Sequence, residues 1–282
     1  MSRRALPWVL VGLVVLAQIS YPLVSGVTRT SVTVLAVCLG FAAAAGHAWL
    51  TRGGRTAALL VLVTAGGGLL VEAVGTATGF PFGSYAYTRS LGAAVLGVPW
   101  VIPLAWTMMA WPAWLVAGRL ATRGWARSLV AGWALASWDL FLDPQMVAAG
   151  HWVWAAGPTP GLPGVPGIPW TNYAGWTLTA VAMAAVGTAL RPAGAGASVA
   201  GTSRAGASEL DGPMFGLYLW TYGSSVLAHA AFFGLPASAA WGGLGMGLIA
   251  VPLAVTLYRA TGWRRTQIVP AGTGAGPWRG AS

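Results

Sequence analysis

The chain reads as long unbroken apolar runs separated by short polar breaks. A helix needs about 20 mostly apolar residues to span the hydrocarbon of a bilayer. Eight runs qualify, at roughly 6–27, 31–50, 56–78, 96–118, 126–147, 172–190, 213–234 and 238–258. They are continuous rather than alternating, which favours helices over strands. The pattern predicts an all-α, polytopic membrane protein, with 1–265 as one transmembrane domain. The Ala/Gly/Ser-rich segment 191–212 reads as a flexible cytoplasmic loop, and 266–282 as a disordered tail. The opening Ser2-Arg3-Arg4 leads into a run with no good small-x-small cleavage site, so a retained anchor is expected. Between 148 and 171 five prolines alternate with glycines, predicting an ordered lid.

Composition sharpens this picture. Of 282 residues 56% are hydrophobic and 7% charged, against about 25% charged in soluble domains. Such a chain cannot coat a water-soluble globule. One cysteine, Cys38, excludes a disulfide scaffold. The net charge of +10 comes entirely from arginine. With the N-terminus inside, the cytoplasmic segments hold Arg3, Arg4, Arg52, Arg55, Arg119, Arg123, Arg127, Arg191, Arg204, Arg259, Arg264, Arg265 and Arg279. Only Arg29 and Arg89 fall outside. The basic excess is therefore an orientation signal, not a nucleic-acid footprint, and it places both termini in the cytoplasm of a multi-pass cell-membrane protein.

Five acidic residues are few enough to take singly. Glu209 and Asp211 fall in the 191–212 loop and call for no special role. Glu72, Asp139 and Asp143 lie inside predicted spans, where a carboxylate costs about 2.5–3.5 kcal/mol on insertion scales and usually marks function. At 1.5 Å per residue they sit roughly 20–26 Å from the inner face. Asp139 and Asp143, at i and i+4, share a helix face. His229 and His151 reach the same level, as do Tyr85, Tyr87 and Asn172. His47, at the opposite end, reads as structural; Arg89 reads as a partner of one of the acids or, preferably, as a contact to outer headgroups. Most of the 17 tryptophans are assigned to interfacial belts. Gly66–Gly68 and the cluster Gly242, Gly243, Gly245 and Gly247 read as close helix contacts.

Two neighbouring buried carboxyls cannot both ionise, so one keeps a proton while the other is charged. That pair supplies a general acid and a general base, and aromatic faces stabilise cations. The set suits protonation of an isoprenoid alkene and capture of the tertiary cation by water, without a redox cofactor or metal. A metal site built from Asp139, Asp143, His151 and His229 is the main chemical rival, but no H-x-x-x-H or H-E-x-x-H pair exists. A magnesium-dependent prenyltransferase needs repeated aspartates and nearby basic groups, and this chain has one Asp pair. A transporter needs a polar path to both faces, and the inner half offers only His47.

At these residues the chain resembles the CruF-type carotenoid hydratase family. The blocks are 72–88 (EAVGTATGFPFGSYAYT), 96–114 (LGVPWVIPLAWTMMAWPAW), 138–154 (WDLFLDPQMVAAGHWVW) and 167–176 (GIPWTNYAGW). The resemblance implies hydration of the terminal C1–C2 double bond of an acyclic ψ-end, giving a tertiary 1-hydroxy carotenoid. Its implied substrates are monocyclic carotenes with one open end and acyclic C50 precursors. The implied partners are a membrane-dissolved carotenoid, the bilayer and other carotenoid enzymes; a non-catalytic carotenoid-binding role is the alternative. The candidate catalytic set is Glu72, Asp139, Asp143, His151 and His229: Glu72 or Asp139 to donate the proton, Asp143 with a histidine to orient water. Phe82, Tyr85, Tyr87, Trp138, Trp152, Trp154 and Asn172 are the candidate substrate contacts. A proline-rich insert at 157–166 departs from the family pattern at the outer mouth.

Overall fold

The structure is a computed structural model describing residues 5–155, 160–190 and 210–266, with side chains to 260. Arg3, Arg4, most of the expected 191–212 loop and the expected tail beyond Thr266 lie outside the described residues. The chain is mostly helical. Helices α1 (Ala5–Ser20), α2 (Gly26–Arg52) and α3 (Gly54–Val61) come first. A π-helical turn at Leu62–Gly66 joins α3 to α4 (Gly67–Thr78). Helices α5 (Val101–Leu120), α6 (Gly124–Ala136), α7 (Asp139–Ala148), α8 (Trp170–Ala189), α9 (Gly212–Ala231) and α10 (Pro236–Thr266) follow.

Among the described residues five helical stretches are long and apolar enough to cross a membrane: Ala5–Leu23, Gly26–Arg52, Gly54–Thr78, Val101–Leu120 and Pro236–Ala260. The runs expected at 172–190 and 213–234 are the helices α8 and α9, while the run at 126–147 divides into α6 and α7. Large apolar side chains stay exposed on outward faces, among them Leu16, Leu62, Leu70, Leu178, Leu244 and Leu248. So much exposed apolar surface fits lipid, not water.

Helix α5 is the hub. In its apolar window 72% of residues are buried, against 17–39% in the other four stretches. It packs against α2, α6, α9 and the π turn, so its residues are apolar on every side. Gly132 lets α6 reach α8; a Cβ there would stand 2.7 Å from the Val181 Cα. Gly132→Leu is therefore expected to cost about 3 kcal/mol, the upper end of overpacking, seen as a lowered Tm in detergent.

Two proline effects shape α7. The helix runs through Pro144 rather than ending there, and the break lies upstream at Ser137–Trp138. Pro144 has no N–H to offer the Leu140 carbonyl one turn back. The Ser238 hydroxyl of α10 donates to that carbonyl instead, at 2.7 Å. Glycines Gly242 and Gly245 bring α10 against Phe141 and Leu140, as close-contact positions should.

Two short antiparallel ribbons add to the expected all-α fold: β1 (Tyr85–Tyr87) with β4 (Trp152–Trp154), and β2 (Ala94–Val95) with β3 (Val98–Pro99). The second closes through Leu96 and Gly97, both at positive φ, as a two-residue hairpin demands. Helix α5 consequently starts at Val101, not at 96. Both ribbons lie at one end of the bundle, the ribbon end. Of the proline-rich lid expected at 148–171, residues 156–159 lie outside the described residues; Val165 and Ile168 are buried, and Trp241 of α10 donates to the Pro163 carbonyl at 3.0 Å.

At the opposite end Asp211 is not a free loop residue. Arg52, ending α2, bonds both its carboxylate oxygens at 2.8 Å, just before α9. His47 reinforces the joint as a structural residue: Trp111 donates to Nδ1 at 3.0 Å, leaving Nε2–H to donate to the Leu210 carbonyl at 2.8 Å. Arg52→Met leaves a buried, unpaired carboxylate and is expected to cost about 3 kcal/mol or more. Adding Asp211→Leu should recover most of that loss in a thermal-unfolding double-mutant cycle.

Candidate active site

Helix α4 carries the first half of the site. Thr64, Gly68 and Glu72 recur every four residues and form one buried stripe toward α5. The Thr64 hydroxyl meets that of Thr107 at 2.7 Å. Gly68 admits the Trp106 ring, whose Cδ1 would lie 2.7 Å from an added Cβ. With the ring held there, its Nε1–H donates to Glu72 Oε1 at 3.1 Å.

The ribbon supplies the roof. Strand pairing sets Tyr85 opposite Trp154 and Tyr87 opposite Trp152. Side chains alternate along a strand, so these four rings turn inward while Ala86 and Val153 stay exposed. Tyr85 stacks on Trp154, and Tyr87 meets Trp152 edge to face, each at 5.5 Å. Both phenols donate to Glu72 Oε2, Tyr85 at 2.5 Å and Tyr87 at 2.8 Å. Burial first, then the Glu72 carboxylate, holds both phenols far above their ordinary pKa, so both keep their protons. Glu72 thus accepts three hydrogen bonds from three donors.

Helices α7 and α8 supply the second half. Asp139 and Asp143 share one face of α7, and the Asn172 amide, near the start of α8, donates to one oxygen of each. The bond to Asp139 is 2.8 Å. Trp152 Nε1–H donates to the other oxygen of Asp143 at 3.1 Å. The shared Asn172 amide sets the two carboxyl groups side by side. Asp139 Oδ1 is buried and has no hydrogen-bond partner.

One cavity joins the halves. Its walls include Glu72, Asp143 and Asn172, with the aromatic residues Phe82, Tyr85, Tyr87, Trp138, Trp152 and Trp154. It holds about 670 Å³ of empty space, its open mouth included. Every candidate substrate contact from the sequence lines it. The candidate acids divide: Glu72 and Asp143 face the cavity, whereas Asp139 stands behind Asp143 and Asn172.

Neither histidine lines the cavity. His151 Nδ1 is bonded to Ser90 at 2.8 Å behind the roof, and burial lowers its pKa, keeping it neutral. His229 Nδ1 is bonded to Ser238 at 2.9 Å, with its ring against Phe141 and Phe233. The pairing of Asp143 with a histidine is replaced by the pairing with Asp139 and Asn172. Among the described residues no three His, Cys, Asp or Glu side chains converge as metal ligands.

The sequence reading missed Trp106 and Trp176, which stack at 4.0 Å and also line the cavity. Among the described residues Trp106, Trp111, Trp138, Trp152, Trp154 and Trp176 are buried rather than interfacial. The signal lay in the spacing of Gly68 and Glu72, which leaves a ring-sized notch beside a carboxylate.

Fold and cavity together define a helical membrane protein with a buried site of carboxyl groups and aromatic rings. The chain belongs to the carotenoid biosynthesis protein family, whose sequence profile matches residues 32–205. That stretch contains Glu72, Asp139, Asp143 and Asn172. The chain is also 34% identical over 114 residues to the bisanhydrobacterioruberin hydratase of Haloarcula japonica. This alignment covers 39% of the chain and spans 37% of that relative's length. No solved structure matches the chain.

Proposed function

We propose that the protein is a carotenoid hydratase. It adds water across the terminal C1–C2 double bond of an acyclic ψ-end and yields a tertiary alcohol. The observation that carries this reading is the placement of Asp143 and Glu72 in the walls of one aromatic cavity. The relative named as a hydratase supports the reaction class.

The hydrogen bonds divide the roles. Asp139 and Asp143 share the Asn172 amide and so lie side by side; one proton kept on the pair relieves their like-charge repulsion and is available at the cavity through Asp143. Glu72 receives donors only, the pattern of an ionised carboxylate. Asp143 gives its proton to C2, and the double-bond electrons leave a tertiary cation at C1. The Glu72 charge and the faces of Tyr85, Trp106 and Trp154 stabilise that cation. Water bonds to C1 and releases a proton to Glu72, and proton return to Asp143 closes the cycle. The sum is one alkene plus one water to one alcohol. No electrons are transferred, so the proposed reaction needs no redox cofactor.

The substrate class is a hydrocarbon polyene with an open end: an acyclic or monocyclic C40 carotene, or a C50 precursor. Among the described arginines Arg52, Arg55, Arg119, Arg123, Arg127 and Arg259 lie toward the end opposite the ribbons, and Arg29 and Arg89 toward the ribbon end. Positive charge favours the cytoplasm, so the proposed arrangement has eight passes of the cell membrane and an outward-facing ribbon end. Pigment chromatography of polyene-producing cells with and without the gene tests the reading. A new, more polar pigment one water heavier supports it; an unchanged profile across all three substrate types contradicts it.

A further inference from the structure

The cavity does not stop at the acids. On the side away from Asp143 its walls run to Thr33 and Val37 of α2, both only partly buried. Helices α2 and α3 pack closely, but α2 and α4 barely touch. The hairpin formed by α2 with the α3–α4 rod therefore opens toward the ribbon end. Behind the gap stands α5, presenting Ile102 and the small Ala105 as a floor. Above it Leu91, buried in the turn after β1, also lines the cavity and closes the top beside α2. The flanks facing outward are apolar and exposed: Leu35 at 51% on α2, Leu70 at 66% and Val74 at 40% on α4.

We propose that the gap between the ribbon-end halves of α2 and α4 is a lateral portal, through which the open end of a linear polyene enters from the lipid. This proposal rests on the hydratase reading and names how its substrate arrives. A long polyene is dissolved in hydrocarbon, and transfer through water would carry a penalty that grows with the apolar surface exposed. A roofed cavity with a side opening avoids that cost. The terminus passes between Val37 and α4 to lie between Glu72 and Asp143, while the rest of the chain stays in the bilayer. Polyenes with at least one open end are then accepted whatever their far end carries, because the far end never enters.

A reversible plug tests the portal. In a Cys38→Ala background, Val37→Cys places a single thiol at the portal, and Leu35→Cys places one on the lipid face of the same helix. Both purified proteins are treated with a bulky thiosulfonate reagent and assayed with an acyclic C40 polyene in proteoliposomes. Labelled Val37→Cys should lose about ten-fold or more of its hydration rate, the scale of a misplaced substrate. Reduction of the mixed disulfide should restore it, which separates blockage from misfolding. Labelled Leu35→Cys should keep its rate. Full activity in labelled Val37→Cys, or equal inhibition at both positions, overturns the portal. If the unlabelled protein hydrates nothing, the hydratase reading fails; the portal is then read from quenching of the buried tryptophans by the polyene. Quenching that survives the label at Val37→Cys overturns the portal in that case too.

Discussion

Asp143→Asn is expected to lower the hydration rate by about a hundred- to ten-thousand-fold, the usual contribution of a general acid. The substitution keeps size and shape but removes the only acidic proton that the Asp139–Asp143 pair presents to the cavity. Trp152 can still donate to the new amide oxygen, and Asn172 can turn its own oxygen toward the new amide N–H groups. The helices on either side should therefore remain in place, and the folded yield should stay close to that of the parent protein. Asp139→Asn should act differently, since Asp139 does not line the cavity. It leaves the donor in place and changes only how its proton is held, so its pH–rate profile should shift while turnover survives. Measuring both variants by product chromatography over a pH series separates the two roles. Equal loss at both positions would contradict the division proposed here.

Glu72→Gln is expected to reduce turnover by about a hundred- to a thousand-fold, comparable to removing a preorganised electrostatic partner of a transition state. The neutral amide neither balances a cation at C1 nor takes the proton of the attacking water. The fold has a way to tolerate it. Trp106 can only donate, so the amide oxygen should face Trp106, while its N–H groups turn to Tyr85 and Tyr87, whose hydroxyls can accept as well as donate. Substrate binding should persist, seen as retained quenching of the buried tryptophans by polyene. A Glu72→Gln protein with unimpaired hydration would remove Glu72 from the chemistry and leave it a structural anchor of the roof.

The helices were legible because lipid-facing segments need long apolar runs, and the intramembrane acids were legible because nothing else justifies their cost. The i, i+4 spacing put Asp139 and Asp143 on one face, and both reach Asn172. The ribbon was harder to see. Tyr85-Ala86-Tyr87 and Trp152-Val153-Trp154 each alternate with a period of two, but three residues are too few to stand out among apolar neighbours. Their pairing joins segments more than sixty residues apart, which no local pattern reports. The histidines misled for a related reason. Depth along a helix follows from the 1.5 Å rise, but the side of the bundle a residue faces depends on packing. His151 and His229 are partnered by Ser90 and Ser238 and face away from the cavity. The break between α6 and α7 was hidden because Pro144 is the conspicuous residue, whereas the helix opens at Ser137–Trp138 and Ser238 compensates the proline.

Addition of water to an open polyene end by Asp143 and Glu72 would leave an isotopic signature in the product. The most direct measurement gives the purified protein an acyclic polyene in water enriched in heavy oxygen, with product mass and hydroxyl position read together. The expected product is a tertiary alcohol at C1 carrying the heavy oxygen, with one solvent hydrogen at C2 when deuterium oxide replaces water. A product oxygen that comes from dioxygen, or the absence of any hydrated product from acyclic, monocyclic and C50 polyenes alike, would contradict it.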